Sequence, residues 1–126
     1  MTREEKELLL KDLCARLPYK PRIMYYYIDN IDGKEYSYSC NLITHYIDEL
    51  YSKTTNMSYI KPYLRPMSSM TEEEKEELWE LLKKLGVTAE VKRLDWLNAH
   101  HFDYRGLIDK GLALEAPKDM YKEIEV

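Results

Sequence analysis

The residues best suited to chemistry form a short cluster near the C-terminal end of the sequence: His100, His101 and Asp103. Two imidazoles and one carboxylate are ligands that zinc and other transition metals accept. Neighbouring residues on a helix point about 100° apart, however, so adjacent histidines do not converge on one ion as an i, i+4 pair does. We therefore predict no metal and no cofactor, and keep a small metal-dependent enzyme or metal-binding protein using these three residues as the alternative.

The sequence lacks the patterns that bring a nucleophile, a base and an orienting group together. Cys14 falls on the apolar side of the first predicted helix, where a thiol is normally inert. Ser68 and Ser69 precede a helix without a glycine-rich elbow. No P-loop, dinucleotide-binding fingerprint, zinc-ribbon spacing or histidine–glutamate protease motif occurs. The sequence therefore predicts no catalytic residue and a protein that is not an enzyme.

A second group of residues has the composition of a protein-binding surface, because Trp, Tyr and Arg are enriched at the energetic centres of interfaces. These residues lie in or just after the helix predicted to follow Thr88, or between Pro62 and Pro66. The candidate interaction surface comprises Tyr63, Arg65, Trp96, His100, His101, Asp103, Tyr104 and Arg105. Its expected partner is an unidentified protein or a second copy of the chain. The alternative is structural: Trp96 anchors the last helix and Tyr63 fills the core under a loop.

Tyrosine dominates the aromatic residues, with 12 Tyr against a single Phe. A tyrosine combines a large apolar ring with a hydroxyl that needs water or a hydrogen-bond partner. A dry core would more naturally use Phe and Leu. So many tyrosines therefore indicate half-buried sheet faces or an interaction surface.

Charge and cysteine content limit the compartment and the partners. The net charge is −4 and the basic residues are scattered, whereas nucleic-acid binders concentrate basic residues to neutralise phosphates. The charged N-terminus and the lack of a long apolar segment predict neither a leader nor a membrane span. Cys14 and Cys40 are expected to be reduced and buried. We therefore expect a cytoplasmic protein without nucleic-acid or membrane partners.

Helical periodicity is strongest in two segments that begin with a capping box. Thr2 and Glu5 precede an apolar stripe over residues 3–16 that Pro18 should stop. Thr71 and Glu74 precede a second stripe over residues 72–85, and Gly86 is the expected left-handed cap. Weaker patterns predict helices over residues 42–51 and after Thr88, with Val91, Leu94, Leu97 and His101 on one side, and a helical turn over residues 104–110.

A β-hairpin is predicted around Asp32-Gly33, because a two-residue type I′ turn requires positive φ angles. This turn would place Tyr27 opposite Tyr38 and Tyr25 opposite Cys40. On that register one face of the hairpin holds Tyr25, Tyr27, Tyr36, Tyr38 and Cys40. Residues 52–58 are expected to form a loop, residues 59–61 a short strand ended by proline, and residues 112–116 an edge strand or extended tail.

These elements predict a single α+β domain over residues 1–126. We expect a small antiparallel sheet, made of the β-hairpin plus one or two short strands, packed against three to four α-helices. The apolar stripes of the helices would pack on the tyrosine face. The sequence leaves open whether the tail beyond about residue 118 is loose.

Three blocks of the sequence are distinctive as strings: residues 1–19 (MTREEKELLLKDLCARLPY), 60–75 (IKPYLRPMSSMTEEEK) and 95–117 (DWLNAHHFDYRGLIDKGLALEAP). Together they resemble a family of small uncharacterised proteins from phages and mobile elements of gut anaerobic bacteria. The family has no assigned activity or site, so the resemblance transfers no functional residue. It implies a bacterial accessory protein of a phage or mobile element. The chain departs from the pattern at Lys20-Pro21, where such proteins often carry Gly.

Overall fold

A computed structural model describes residues 2–51, 58–86 and 89–121. Over those residues the chain is an α+β protein with four α-helices and a five-stranded mixed sheet, which confirms the predicted fold class. The helices are α1 (Arg3–Arg16), α2 (Thr44–Tyr51), α3 (Glu72–Leu85) and α4 (Ala89–Ala99). The strands are β1 (Arg22–Ile28), β2 (Glu35–Asn41), β3 (Ser58–Pro66), β4 (Phe102–Asp103) and β5 (Leu114–Glu115).

Both predicted capping boxes are formed. The Thr2 hydroxyl accepts a hydrogen bond from the Glu5 backbone N–H at the start of α1, and Thr71 does the same for Glu74 at the start of α3. In each box the glutamate carboxylate in turn accepts a hydrogen bond from the backbone N–H of the threonine. These reciprocal bonds satisfy amides that have no partner inside the helix.

The ends of the two long helices differ from the prediction in detail. Helix α1 continues into one 3₁₀ turn (Leu17–Tyr19) with Pro18 inside it, because proline is tolerated in a first turn. Lys20 then takes a left-handed conformation with φ 48°. Gly86 ends α3 with φ 52° and ψ −122°, so its φ is positive but it is not the left-handed cap that we predicted. Thr88 lies outside the described residues.

The helical turn predicted over residues 104–110 is present as a single turn rather than a helix, closed by the Lys110 N–H, which donates to the Gly106 carbonyl at 3.3 Å. Gly106 and Gly111 have positive φ on either side of it, and the chain then enters β5. The prediction for α4 fails in one respect. Leu97 is fully buried, but Val91 is 65% exposed and His101 lies beyond the helix end.

The hairpin forms in a different register, with Tyr25 opposite Tyr38 and Tyr27 opposite Tyr36. Its loop is longer than two residues: the Asp29 N–H donates to the Lys34 carbonyl at 2.9 Å, which leaves four residues between them. The side chain of Asp29 accepts from the Ile31 amide and that of Asp32 from the Lys34 amide. These local side-chain bonds stabilise the wider loop.

The shift preserves the predicted tyrosine face. Because the register moves by two residues and side chains alternate with a period of two, every residue stays on its expected face. The Tyr25 ring packs against the rings of Tyr38 and Tyr46, with ring centroids 5.2 Å apart in each case. The residues that share the tyrosine face were therefore predictable from the sequence, although the residues that lie opposite one another in the hairpin were not.

Strand β3 is longer than predicted and includes both prolines. Pro62 lies opposite Ile23, and the hydrogen-bonding groups of Ile23 point toward β2 rather than β3. Pro62 therefore occupies a position of the ladder that needs no N–H donor, so proline does not end the strand. Of the predicted loop over residues 52–58, only Ser58 is described, and it belongs to β3.

The sheet has the order β2-β1-β3-β4, with β5 also paired to β3. Strands β1, β2 and β3 are antiparallel, as expected, but β4 and β5 each pair with β3 in parallel. The largely antiparallel sheet that we predicted is therefore mixed. The two parallel strands bring the segment after α4 back onto the centre of the molecule.

Apolar side chains from α1, α2, β1 and β3, from the residue after β2 and from the turns between β4 and β5 form the main core. Its fully buried members include Leu9, Leu13, Ile23, Leu42, Leu64 and Leu107. Cys14 is exposed and Cys40 is half-buried, which corrects the prediction that both thiols are buried. Beyond Pro117, Tyr121 is still held by hydrogen bonds, whereas residues 122–126 are not described. Among the helices of the described segments, none combines the length and apolarity that crossing a membrane requires.

The hairpin loop gives a first testable prediction. Gly33 has φ 70°, and a Cβ built there meets no atom within 4 Å, so a substitution is opposed by backbone strain alone. We expect Gly33→Val to lower the free energy of unfolding by about 1–2 kcal/mol, measured by urea denaturation. Gly33→Asn is the control and should lose less, because asparagine tolerates this conformation. Equal stability of wild type and Gly33→Val would contradict the loop geometry.

Candidate functional site

The predicted surface residues Tyr104 and Arg105 belong to a buried polar network around α1. Asp12 and Arg16 on that helix are both fully buried, and their side chains form an ion pair of 2.7 Å. Arg105 contacts the other oxygen of Asp12 at 3.1 Å. One buried carboxylate therefore faces two guanidinium groups.

The Arg16 guanidinium connects α1 to the segment that follows α4. Its Nη2 donates to the Phe102 carbonyl at 2.7 Å, and its Cζ lies 5.3 Å from the centre of the Tyr104 ring. The Tyr104 hydroxyl donates to Asn98 on α4 at 2.9 Å and accepts from Arg105. Sequence analysis missed Asp12 and Arg16, although an acid–base pair at i, i+4 directly beside Leu9 and Leu13 was a signal for them.

Arg65 forms a second ion pair, with Glu74 at the start of α3. Two of its nitrogens contact the two carboxylate oxygens at 2.6 and 2.8 Å, and its guanidinium lies 4.1 Å from the Phe102 ring centre. The hydrogen bonds from Arg65 hold the pKa of Glu74 at about 2. His100 lies 3.7 Å from the same carboxylate and stacks on Trp96. The contacts among Arg65, Glu74 and His100 therefore hold β3 against α3 and the end of α4.

His101 stacks on Tyr121 with ring centroids 3.7 Å apart. Its φ of 64° lets the chain leave α4, and its carbonyl accepts from the Arg65 amide at 2.7 Å. Burial, assisted by the nearby charge of Arg16, lowers the pKa of the imidazole to about 4. The Tyr121 hydroxyl donates to the Tyr63 carbonyl and accepts from the Arg22 amide, while burial raises its pKa to about 12. Tyr121 thus ties the C-terminal segment to β1 and β3.

Asp103 has a structural partner for each carboxylate oxygen. Oδ1 accepts from the Leu107 amide at 2.9 Å and Oδ2 from the Ile108 amide at 3.0 Å. The three residues of the alternative metal hypothesis therefore have different partners. Asp103 accepts from the backbone of residues 107–108, His100 contacts Trp96 and Glu74, and His101 stacks on Tyr121. Across the described ranges, no group of three or more His, Cys, Asp or Glu side chains is arranged to hold a metal ion.

Trp96 lines an open groove beside α3. Its indole N–H donates to Glu77 at 3.3 Å, and the groove of about 280 Å³ is bordered by Glu77, Glu80, Leu81 and Lys84. Only 8% of the Trp96 surface is exposed. Contacts join some of the predicted surface residues: Trp96 stacks on His100, which lies beside the Arg65–Glu74 pair, and Arg105 donates to Tyr104. Tyr63 takes part through its backbone carbonyl, which accepts from Tyr121. The polar groups of this surface are largely used inside the chain. This arrangement matches the structural alternative for Trp96.

The tyrosine face leaves a different surface open. Tyr36 and Tyr38 on β2 are 40% and 43% exposed, and each hydroxyl is hydrogen-bonded, to Asp32 and Tyr46 respectively. Hydrogen bonds with Cys40 and Tyr38 raise the pKa of the Tyr46 hydroxyl above its ordinary value. These bonds fix the orientation of the rings while the ring surface remains accessible.

Strand β2 is an edge of the sheet: within the described residues it pairs with β1 and with no other strand. The bonds from Asp29 N–H to Lys34 and from Leu42 N–H to Pro21 show that the even-numbered residues of this strand face β1. Because backbone direction alternates along a strand, the amides and carbonyls of the odd-numbered residues point outward. These outward residues are Glu35, Ser37, Ser39 and Asn41.

The ion-paired core generates a second prediction. Asp12→Ala leaves the fully buried Arg16 without its counter-charge and should cost about 3–5 kcal/mol of unfolding free energy in urea denaturation. Arg105→Met is the control, because Asp12 keeps its buried partner and the side chain of Arg105 reaches solvent. We expect it to cost less than half as much. Similar losses for the two variants would show that the buried Asp12–Arg16 pair contributes no more to stability than the Arg105 contact does.

His101 generates a third prediction, on acid stability. Its folded pKa of about 4 lies below the ordinary 6.5, so the unfolded chain takes up a proton first as the pH falls. Stability should therefore decrease between pH 6.5 and 4, by on the order of 1–2 kcal/mol for this partly exposed ring, and the His101 contribution should level off below pH 4.

His101→Asn is the matched variant, because asparagine tolerates positive φ and does not titrate. Urea denaturation across this pH range should give a shallower slope for the variant, even if its stability at pH 7 is lower. Parallel slopes would rule out His101 as the titrating group.

Comparison of the chain with models of protein families, with curated proteins and with solved structures finds no match in any of the three.

Proposed function

We propose that this chain is a non-enzymatic protein-interaction module that binds its partner through the edge strand β2. The observation that supports the proposal most directly is the open edge of the seven-residue strand β2, which carries two half-exposed tyrosines. An exposed row of backbone donors and acceptors is a ready template for an added strand. The ring faces of Tyr36 and Tyr38 add the apolar area that such a contact needs.

The strand lacks the features by which proteins usually protect a sheet edge. Its pairing with β1 runs through seven consecutive residues without a bulge. It holds no proline and no lysine, and its only charged residue, Glu35, is at one end. Natural edges use these devices against unwanted pairing. Their absence from β2 supports the proposal that this edge pairs with a strand of the partner.

The other parts of the proposal follow from the sequence. The resemblance of three sequence blocks to phage and mobile-element proteins supports an accessory role in a bacterial cytoplasm. Scattered basic residues and a net charge of −4 disfavour nucleic acid as the partner. The internal bonding of His100, His101 and Asp103 gives the metal-dependent alternative no support from geometry.

A photo-crosslinking experiment tests the proposed surface. A photoreactive phenylalanine analogue replaces Tyr38 on β2 or, as the control, Trp79, which is 61% exposed on α3. Each protein is irradiated in native lysate, and the adducts are identified by mass spectrometry. We expect protein adducts, to the chain itself or to another protein, from position 38 that position 79 does not give.

The same adducts should disappear in a Ser37→Pro background and persist in Ser37→Thr. Proline removes the outward amide without removing a bond to β1, so the hairpin is retained. Circular dichroism melting confirms that each variant is folded. Absence of any adduct that depends on the Ser37 amide would overturn the proposal that β2 is the binding surface.

A further inference from the structure

We propose that the partner of β2 is β2 of a second copy, paired antiparallel about a twofold axis at Tyr38. This inference rests on the proposed function and assigns its partner. Three observations support it: the direction of the backbone groups, the charges at the strand ends and the residue at the centre of the strand.

The backbone groups favour one register. Pairing about Tyr38 sets Glu35 opposite Asn41 of the other copy and Ser37 opposite its Ser39. In this register all four outward residues of each copy meet an outward residue, so the full ladder forms. Centring the axis on Ser37 or Ser39 instead leaves one outward residue of each strand beyond the end of its partner. The self-complementary register is thus the one with the most hydrogen bonds.

The charges at the two ends of β2 are complementary under the same axis. The Arg22 guanidinium donates to Asn41 Oδ1 at 3.2 Å and to Ser39 Oγ at 3.0 Å, which holds a positive charge at one end of the open edge. Glu35 provides a negative charge at the other end, on the same face of the sheet, where its exposed carboxylate accepts a long bond of 3.4 Å from the Tyr59 hydroxyl. Antiparallel pairing brings each Glu35 beside the Arg22 of the other copy, twice by symmetry.

The centre of the strand suits close approach. The backbone groups of Tyr38 point toward β1, so on the axis Tyr38 forms a non-hydrogen-bonded pair with the Tyr38 of the second copy. In such a pair the Cα atoms are only about 4.5 Å apart. Tyr38 is 43% exposed, and its hydroxyl is hydrogen-bonded to Tyr46, so the ring is oriented before the second copy arrives. Tyrosine pairs across strands in this way stabilise sheets. The two sheets then continue through the axis as one.

A pair of double variants tests the dimer and its register together. Ser37→Lys/Ser39→Glu places lysine opposite glutamate across the axis, whereas Ser37→Glu/Ser39→Glu places glutamate opposite glutamate. The variants share the change at position 39, beside Arg22, and differ only in the sign of charge at position 37. By sedimentation velocity at about 100 μM chain, where weak contacts are populated, wild type and the first variant should be dimers. The second should dissociate at least about tenfold more readily, because like charges opposite one another repel.

Disulfide trapping gives an independent measurement. In a Cys14→Ser/Cys40→Ser background, Tyr38→Cys should form a disulfide-linked dimer on oxidation, since the expected Cα separation permits the bond. Tyr36→Cys is the control, because its twofold mate lies four residues along the strand, about 13 Å away, and should stay unlinked.

The outcomes separate the dimer from the more general proposal. A monomeric wild type, equal dimerisation of the two charge variants, or equal trapping at positions 36 and 38 would overturn the twofold pairing. If a monomeric wild type still gives Ser37-dependent adducts to another protein, β2 is a binding edge whose partner is a different chain. If it gives none, both proposals fail.

Discussion

The fold depends on a fully buried guanidinium. Arg16 is bound at once to Asp12 on its own helix and to the backbone of Phe102 in β4, with the Tyr104 ring against it. A charge removed from water is costly unless it is paired and hydrogen-bonded. The last quarter of the chain must therefore dock on α1 for Arg16 to remain inside. Packing of apolar side chains is not directional, whereas the bond from Arg16 to the Phe102 carbonyl favours this particular docking of β4 on α1.

The same constraint explains why the sheet is mixed. The Phe102 carbonyl accepts from Arg16 while its ring lies under Arg65, so β4 is held between α1 and β3. Asp103 then turns the chain by accepting two amides, and the following turns return it to β3 as β5. Tyr121 fastens the end of this path to β1 and β3. Within the described residues, the β4 and β5 side of the sheet is thus covered, whereas the β2 edge of the hairpin stays open.

The sequence predicted the local features of this structure and missed the long-range ones. Capping boxes, apolar stripes and the alternating tyrosines are properties of neighbouring residues, so α1, α3 and the composition of the hairpin face followed from spacing. The hairpin register did not, because the side chains of Asp29 and Asp32 stabilise a wider loop than the Asp-Gly dipeptide indicates.

The internal contacts of the candidate surface residues could not be predicted for a different reason. Arg105 and Asp12 are 93 residues apart in sequence, and Arg16 and Phe102 are 86 apart. No periodicity reports a contact across such a distance. Trp, Tyr and Arg near one another are typical of an interface, but they are equally typical of an internal network in which a guanidinium lies against aromatic rings. Only the contacts distinguish the two.

The preference for tyrosine over phenylalanine follows from the openness of the hairpin end. A phenylalanine on β2 would expose its ring with nothing to orient it, and an exposed apolar edge invites aggregation. Tyr25, Tyr36 and Tyr38 instead direct their hydroxyls to Glu49, Asp32 and Tyr46. Each hydroxyl bond thereby orients its ring, and the polar end of the ring meets a neighbour. In the strand pairing that we propose, rings oriented in advance lose little side-chain entropy when the second strand is added.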